Sequence, residues 1–153
     1  MRVYLPVTLD ELQQPVSPVL LAPRVAHGVT PALREVWPGE DDEGWEYAAQ
    51  AGAADESVVL LAQRHDAPRL RVVVAADVPD ACVRALDDPP VPSAVELVCG
   101  VDLSQVVSVH VDEPAATDDV AAAAEGDVAA LERLEDRDLL WYDVSEIGQI
   151  PAR

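Results

Sequence analysis

His110 and Asp112 stand two positions apart in VVSVHVD, Val106 to Asp112. Alternate side chains of a strand share a face, so this spacing presents an imidazole and a carboxylate together. Such a pair can offer a nitrogen and an oxygen to a metal, or let a carboxylate orient a histidine. No third ligand is fixed by the spacing, and a solvated strand face with a local ion pair would use the same residues. Asp77 and Asp80 follow the apolar run RLRVVVAADV. In open α/β sheets ligands gather beyond the carboxyl ends of strands, where two carboxylates can hold a cation or serve as acid and base. Turn and cap chemistry before ACVRAL accounts for the same two residues. An enzyme or metal-dependent protein built on Asp77, Asp80, His110 and Asp112 requires these groups to meet in one cleft.

A different chemistry is suggested by WPGEDDEGWEY, where five acids fall between Glu40 and Glu46 among Trp37, Trp45 and Tyr47. Aromatic side chains anchor interfaces and complementary charge speeds encounter. Trp37, Glu40, Asp41, Asp42, Glu43 and Trp45 therefore form a candidate surface for a basic protein partner. The competing reading has the acids capping a helix and the indoles filling the core of a chain that has no Phe. Just before it, HGVTPALREVW brings together an imidazole, a hydroxyl, a guanidinium, a carboxylate and an indole. Helix rules explain most of that stretch: Thr30 caps, Pro31 takes the first position, and Leu33, Val36 and Trp37 share a face. His27 alone falls outside these rules.

Composition removes several functions. The chain has 153 residues, half of them apolar, and a formal charge of −19. That charge repels phosphates and anionic lipid, so neither a nucleic acid nor a membrane is an expected partner. There is no Lys, and all ten cations are Arg, which excludes a P-loop lysine and Schiff-base chemistry. The sequence contains no G-x-G-x-x-G, G-x-S-x-G, H-E-x-x-H or EF-hand pattern. No cofactor or metal is therefore expected. Cys82 and Cys99 lie within apolar segments, where a thiol behaves as a small buried hydrophobe. No signal peptide or 18-residue apolar run is visible, which makes the cytoplasm the expected compartment.

These residues need elements to position them. RVYLPVT predicts a strand, and Thr8 with Glu11 a capping box on a short helix. Three prolines make Pro15 to Gly28 an irregular crossing, with Val25 and Ala26 extended. Glu40 to Arg64 reads as one or two helices, in which Gly52 marks a close contact or a break. Arg69–Val78 is a strand covered on both faces. PDACVRAL is a short helix or turn, DDPPVPS an exposed loop, and AVELVCGV a strand. In VVSVHVD the alternation puts Val107, Val109 and Val111 on the buried side. One long helix runs from Thr117, with Val120, Ala124, Val128, Leu131 and Leu134 as its stripe. LLWYDV closes as a strand.

The fold expected is a single α+β domain over residues 1–153. It is a two-layer sandwich of about five strands in a mixed sheet packed with helices, a ferredoxin-like core with a helical insertion being one way to draw it. MRVYLP, VTPALREVW, RVVVAADVPD, VVSVHVD and LLWYDV together resemble a family of uncharacterised actinobacterial proteins of similar length. The resemblance implies a cytoplasmic origin and brings no activity, substrate or catalytic residue with it. With no catalytic motif and a high acidity, the chain is expected to act by binding a protein partner or itself rather than as an enzyme.

Overall fold

The computed structural model describes residues 1–14 and 20–152. Pro15 to Val19, the start of the expected crossing, lie outside the described residues. Seven strands form one open sheet: β1 (Arg2–Val7), β2 (Arg24–His27), β3 (Val72–Asp77), β4 (Val83–Ala85), β5 (Ala94–Leu97), β6 (Val106–Val111) and β7 (Leu140–Tyr142). Their order across the sheet is β4-β5-β2-β1-β3-β6-β7. Every pair is antiparallel. The fold is α+β as expected, but the sheet is larger than five strands and is not mixed. A ferredoxin-like core is also ruled out, since its split β-α-β unit needs a parallel pair.

The two additional strands are short. β2 uses the Val25–Ala26 stretch. β4 is hidden in PDACVRAL, where Asp80–Cys82 make one 3-10 turn before three extended residues. Strands of three or four residues carry too little alternation to be read as a period.

β1 and β3 lie at the centre, in register from Arg2 opposite Asp77 to Val7 opposite Val72. Both are buried on both faces, as the continuous apolar run Val72–Ala76 requires. On one face, Val3, Leu5, Val7, Val72, Val74 and Ala76 join a core closed by the short helix α1 (Leu9–Gln13) and by Ile147 and Ile150. On the other, Tyr4, Val73 and Ala75 meet the long helix α3 (Asp42–Gln63) through Ala49, Ala53 and Ala54. The sheet is thus covered on both sides, a thin third layer beyond the expected two. Ser57 on α3 is fully buried; its hydroxyl donates to the Val7 carbonyl at 3.2 Å and accepts from the Val72 N–H at 3.1 Å. A polar side chain facing the sheet is stable there because both of its hydrogen-bonding roles are filled.

The expected last helix is two. α4 (Thr117–Ala124) and α5 (Val128–Glu135) are separated by Gly126 at φ +98°. Gly126 N–H donates to Ala123 and Asp127 N–H to Ala122, both at 3.0 Å. This is a Schellman closure, which needs the left-handed residue that Gly supplies. Asp127 then caps α5 by accepting from Ala130 N–H. The apolar spacing through Val128 and Leu131 conceals the break, and both residues are exposed. Ala130 and Leu134 instead pack with Val120 and Ala123 against Val58 and Leu61. β6 departs from its alternation in a similar way. Ala75 pairs with Ser108 but Ala76 with Val106, so Val107 bulges out and is exposed while Val109 and Val111 stay in the core.

Cys82 and Cys99 form a disulfide, not two buried thiols. The register explains it: Val83 opposes Leu97, and Val98 N–H donates to the Cys82 carbonyl at 2.8 Å. The two Cα atoms are 5.2 Å apart, within bonding geometry. Without β4 the sequence offers no reason to pair them. Among the described residues no helix is long and apolar enough to cross a membrane.

Reduction of this bond, which closes a loop of 17 positions, should lower the unfolding free energy by about 3 kcal/mol. Urea melts with and without reductant measure it, and coincident curves would contradict the bond. At the start of α1, burial favours the neutral Glu11 carboxyl. Hydrogen bonds from Arg24 and Thr8 outweigh burial and hold its pKa below the usual range. A lowered folded pKa stabilises above the unfolded value, and that contribution disappears as pH falls through the folded one. Glu11→Gln should therefore cost stability at neutral pH and flatten the acid limb of a pH–stability curve.

Candidate functional site

The candidate site begins at α2 (Pro31–Val36). Thr30 accepts from Leu33 N–H at 3.0 Å and Pro31 opens the helix, as the capping rules require. Only Leu33 of the expected apolar face is buried. Val36 and Trp37 are exposed, at 52% and 51%. A helix of six residues has one turn to turn inward, and the chain leaves it at Trp37, whose carbonyl accepts from Trp45 Nε1 at 3.0 Å. Asp41 caps α3 by accepting from Gly44 N–H at 2.9 Å. Arg34 lies over the Trp45 ring, 4.8 Å from its centroid, a cation–π contact. Within the acidic segment, Asp41 thus has a capping role and Trp45 a packing role. Glu40, Asp42, Glu43 and Trp37 remain on the surface.

Facing this corner is the loop Val91–Ser93. It is held by the Thr30 hydroxyl donating to the Pro92 carbonyl and by Gly28 N–H donating to the Ser93 carbonyl at 2.9 Å. The strongest hold is His27, 1% exposed at the end of β2. Its Nδ1 lies 2.8 Å from Ser93 Oγ and its Nε2 lies 2.6 Å from Glu56 Oε2 on α3. A carboxylate only accepts, so Nε2–H donates to Glu56, while Nδ1 and the Ser93 hydroxyl share the second hydrogen bond. Ser, His and Glu here invite comparison with a hydrolytic triad. The ring nitrogens are used in the opposite sense, since a triad places the acid on Nδ1 and the hydroxyl on Nε2. Gly52 also closes the contact: a Cβ there would lie 2.8 Å from both His27 Nδ1 and Ser93 Oγ. Helix α3 therefore packs closely against the imidazole and the hydroxyl, and Gly52 and Ser93 also line the cavity beside them. The three residues latch sheet, helix and loop together.

The latch shapes an open cavity of about 470 Å³ between α2, α3 and the 91–93 loop. Leu33, Trp37, Tyr47, Ala48, Val91 and Pro92 give it apolar walls, and Glu40 stands at its rim. A second cavity of about 490 Å³ lies across the α3 ridge formed by Tyr47, Ala51 and Asp55, which border both.

The other candidate residues stay apart. Asp77 takes two hydrogen bonds from Arg2, at 2.6 and 3.1 Å, which hold its carboxyl below the usual pKa range. Asp80 meets the Met1 ammonium at 3.2 Å. His110 opposes Val73 on β3, four residues before Asp77, roughly 13 Å away at strand rise. Its Nε2 lies 3.0 Å from Ser108 Oγ, and burial lowers its pKa. Asp112 is fully engaged by Arg71, which donates from its backbone N–H, Nε and Nη2 at 2.8–2.9 Å. These four residues share no cleft. Among the described residues no group of three or more His, Cys, Asp or Glu is placed to hold a metal. Glu56, Ser93 and Arg71 carried no sequence signal, since each contacts its partner across at least 29 positions of chain.

The fold and site define a small antiparallel α+β protein with a latched helix and two open cavities on its outer side. The chain belongs to a family of unknown function, DUF6912, whose model matches residues 1–150. No curated protein and no solved structure matches it.

Gly52→Ala should wedge α3 off the latch and cost about 1–3 kcal/mol, the usual range for overpacking. Chemical denaturation measures it, and an unshifted midpoint would show that the contact is not tight.

Proposed function

We propose that the protein acts by binding a basic segment of a protein partner in the Trp37–Tyr47–Val91 cavity. The observation that carries this reading is that Trp37 and Tyr47 stand 51% and 64% exposed on the walls of an apolar cavity in a chain otherwise short of aromatics. Monomeric proteins rarely leave contiguous apolar surface open without use, and aromatic side chains in pockets are the usual anchors of interfaces. The occupant is chosen by charge. Glu40 at the rim, the neighbouring Asp42 and Glu43, and a net charge of −19 favour Arg or Lys beside an apolar anchor and repel acidic segments. The same charge disfavours nucleic acid and anionic membranes as partners.

The four-residue alternative, catalysis through Asp77, Asp80, His110 and Asp112, has no geometric support, because each of these groups is engaged separately. The Cys82–Cys99 bond bears on compartment: disulfides persist in oxidising surroundings and are uncommon in cytosol. It weighs against the cytoplasmic expectation, and mass spectrometry of alkylated protein from cells would decide it.

The binding reading is tested by Trp fluorescence with short synthetic peptides that alternate Arg and Leu, against Glu–Leu counterparts. The Arg–Leu peptide should bind, and added salt should weaken it. Trp37→Ala and Tyr47→Ala should each lower affinity by roughly tenfold or more, the scale of an interface anchor. Equal binding of the two peptides, or affinity unchanged by Trp37→Ala, would refute the reading.

A further inference from the structure

The second cavity, between α3, α5 and the chain leading into β7, contains a feature the binding groove lacks. Arg71 forms part of its wall although the residue is only 5% exposed. Its guanidinium is committed on one side: Nε and Nη2 donate to Asp112 at 2.9 and 2.8 Å, and Nη2 also reaches the Arg137 carbonyl at 3.3 Å. Among the described residues Nη1 has no protein partner. Nor is it sealed from solvent, since Asp10 Oδ1 is the one buried unpartnered side-chain atom among them. Nη1 therefore keeps some contact with solvent, and Arg71 borders the cavity. A buried, rigidly held cation with one open nitrogen is a preorganised donor for a ligand oxygen.

The surrounding charges decide which oxygen. Asp55, Glu135 and Asp138 line the same cavity. Its other cation, Arg137, is already paired with Glu113 at 2.6 Å and Asp119 at 3.4 Å. The positive side chains are thus spent on partners while, among the described residues, the three acids have no ion-pair partner, so a simple anion would be repelled. A molecule that brings its own cation would not. Asp55 is placed to receive it. Though exposed at its surface, its carboxyl has a pKa raised chiefly by desolvation, against the pull of Arg71 and with Glu135 adding to the rise. An arriving ammonium would meet this carboxylate at the cavity wall. Leu134 and Leu139 complete the wall with apolar surface.

We infer that this cavity binds a free α-amino acid with an apolar side chain: carboxylate to Arg71 Nη1, ammonium to Asp55, side chain against Leu134 and Leu139. The volume, about 490 Å³ with an open mouth, admits a molecule of that size. The two cavities share the ridge of Tyr47, Ala51 and Asp55, but Trp37 lines only the peptide groove and Arg71 and Leu139 only this one, so Trp37→Ala and Leu139→Glu separate the two readings.

The probe is L-leucine, followed by heteronuclear NMR of the full chain, with leucinamide lacking the carboxylate and N-acetylleucine lacking the ammonium. Leucine should shift the signals of Gln50, Asp55, Arg71 and Leu139. Each analogue should bind roughly tenfold more weakly or worse, the scale of one charge-assisted hydrogen bond. Asp55→Asn changes an exposed side chain and keeps the fold, and should weaken leucine to the same degree. Leu139→Glu, which removes the apolar wall, should do likewise. No shift near Arg71 at millimolar leucine overturns the inference. So does binding of either analogue as tightly as leucine, or leucine binding unaffected by Asp55→Asn.

Discussion

The Arg71–Asp112 pair is the constraint on which much of the remaining structure depends. Both side chains are almost wholly removed from water, at 6% and 0% exposure. Two buried charges are tolerated only when their geometry is good and the remaining hydrogen-bonding positions are filled. Here the carboxylate accepts three N–H groups from one residue, and the Asp112 N–H returns a bond to the Arg71 carbonyl at 3.1 Å. Removing one partner of such a pair costs about 3–5 kcal/mol, because the other charge is left buried alone. The pair sits where β3 begins and β6 ends, so it fixes the relative position of two strands. Through the Arg137 carbonyl it also fixes where the chain enters β7. The same commitment leaves Nη1 as the one guanidinium nitrogen without a protein partner among the described residues.

The second constraint is the size of the side chains between sheet and helix. Ala49, Ala53 and Ala54 let α3 lie close to Tyr4, Val73 and Ala75. A close helix has no space beneath it for an indole, which is why Trp37 and Trp141 stand outside and Trp45 is only half covered. The same closeness forces Gly at position 52 and brings Glu56 onto His27. In a core made from Ala, Val and Leu, Tyr4 is the one fully covered aromatic, and Trp37 and Tyr47 are left on the surface, where they line a cavity.

Several parts of this were legible in the residues. Thr8 with Glu11, and Thr30 with Pro31, marked helix starts because capping is a contact between near neighbours. Val72–Ala76 read as a central strand because burial on both faces leaves no polar position. Gly52 signalled either a close contact or a break, and only the packing of α3 on His27 and Ser93 decided for the contact. The illegible parts were of two kinds. Short strands and a glycine-closed helix break hid beneath apolar spacing that fits more than one element, as in ACVRAL and AAEGDV. The bulge at Val107 depends on how β3 and β6 pair and leaves no mark on β6 itself.

What the sequence determined by itself was everything local or additive: an acidic, lysine-free chain, its caps, its central strand, an α+β composition, and the functions its missing motifs exclude. Tertiary structure decided which polar groups meet. His27 with Ser93 and Glu56, Arg71 with Asp112, and Cys82 with Cys99 are separated by 17 to 66 positions and are joined only by strand register and helix placement. Local rules act over a turn or a pleat, whereas a site is made where distant segments converge, and that convergence is fixed by packing the whole core at once.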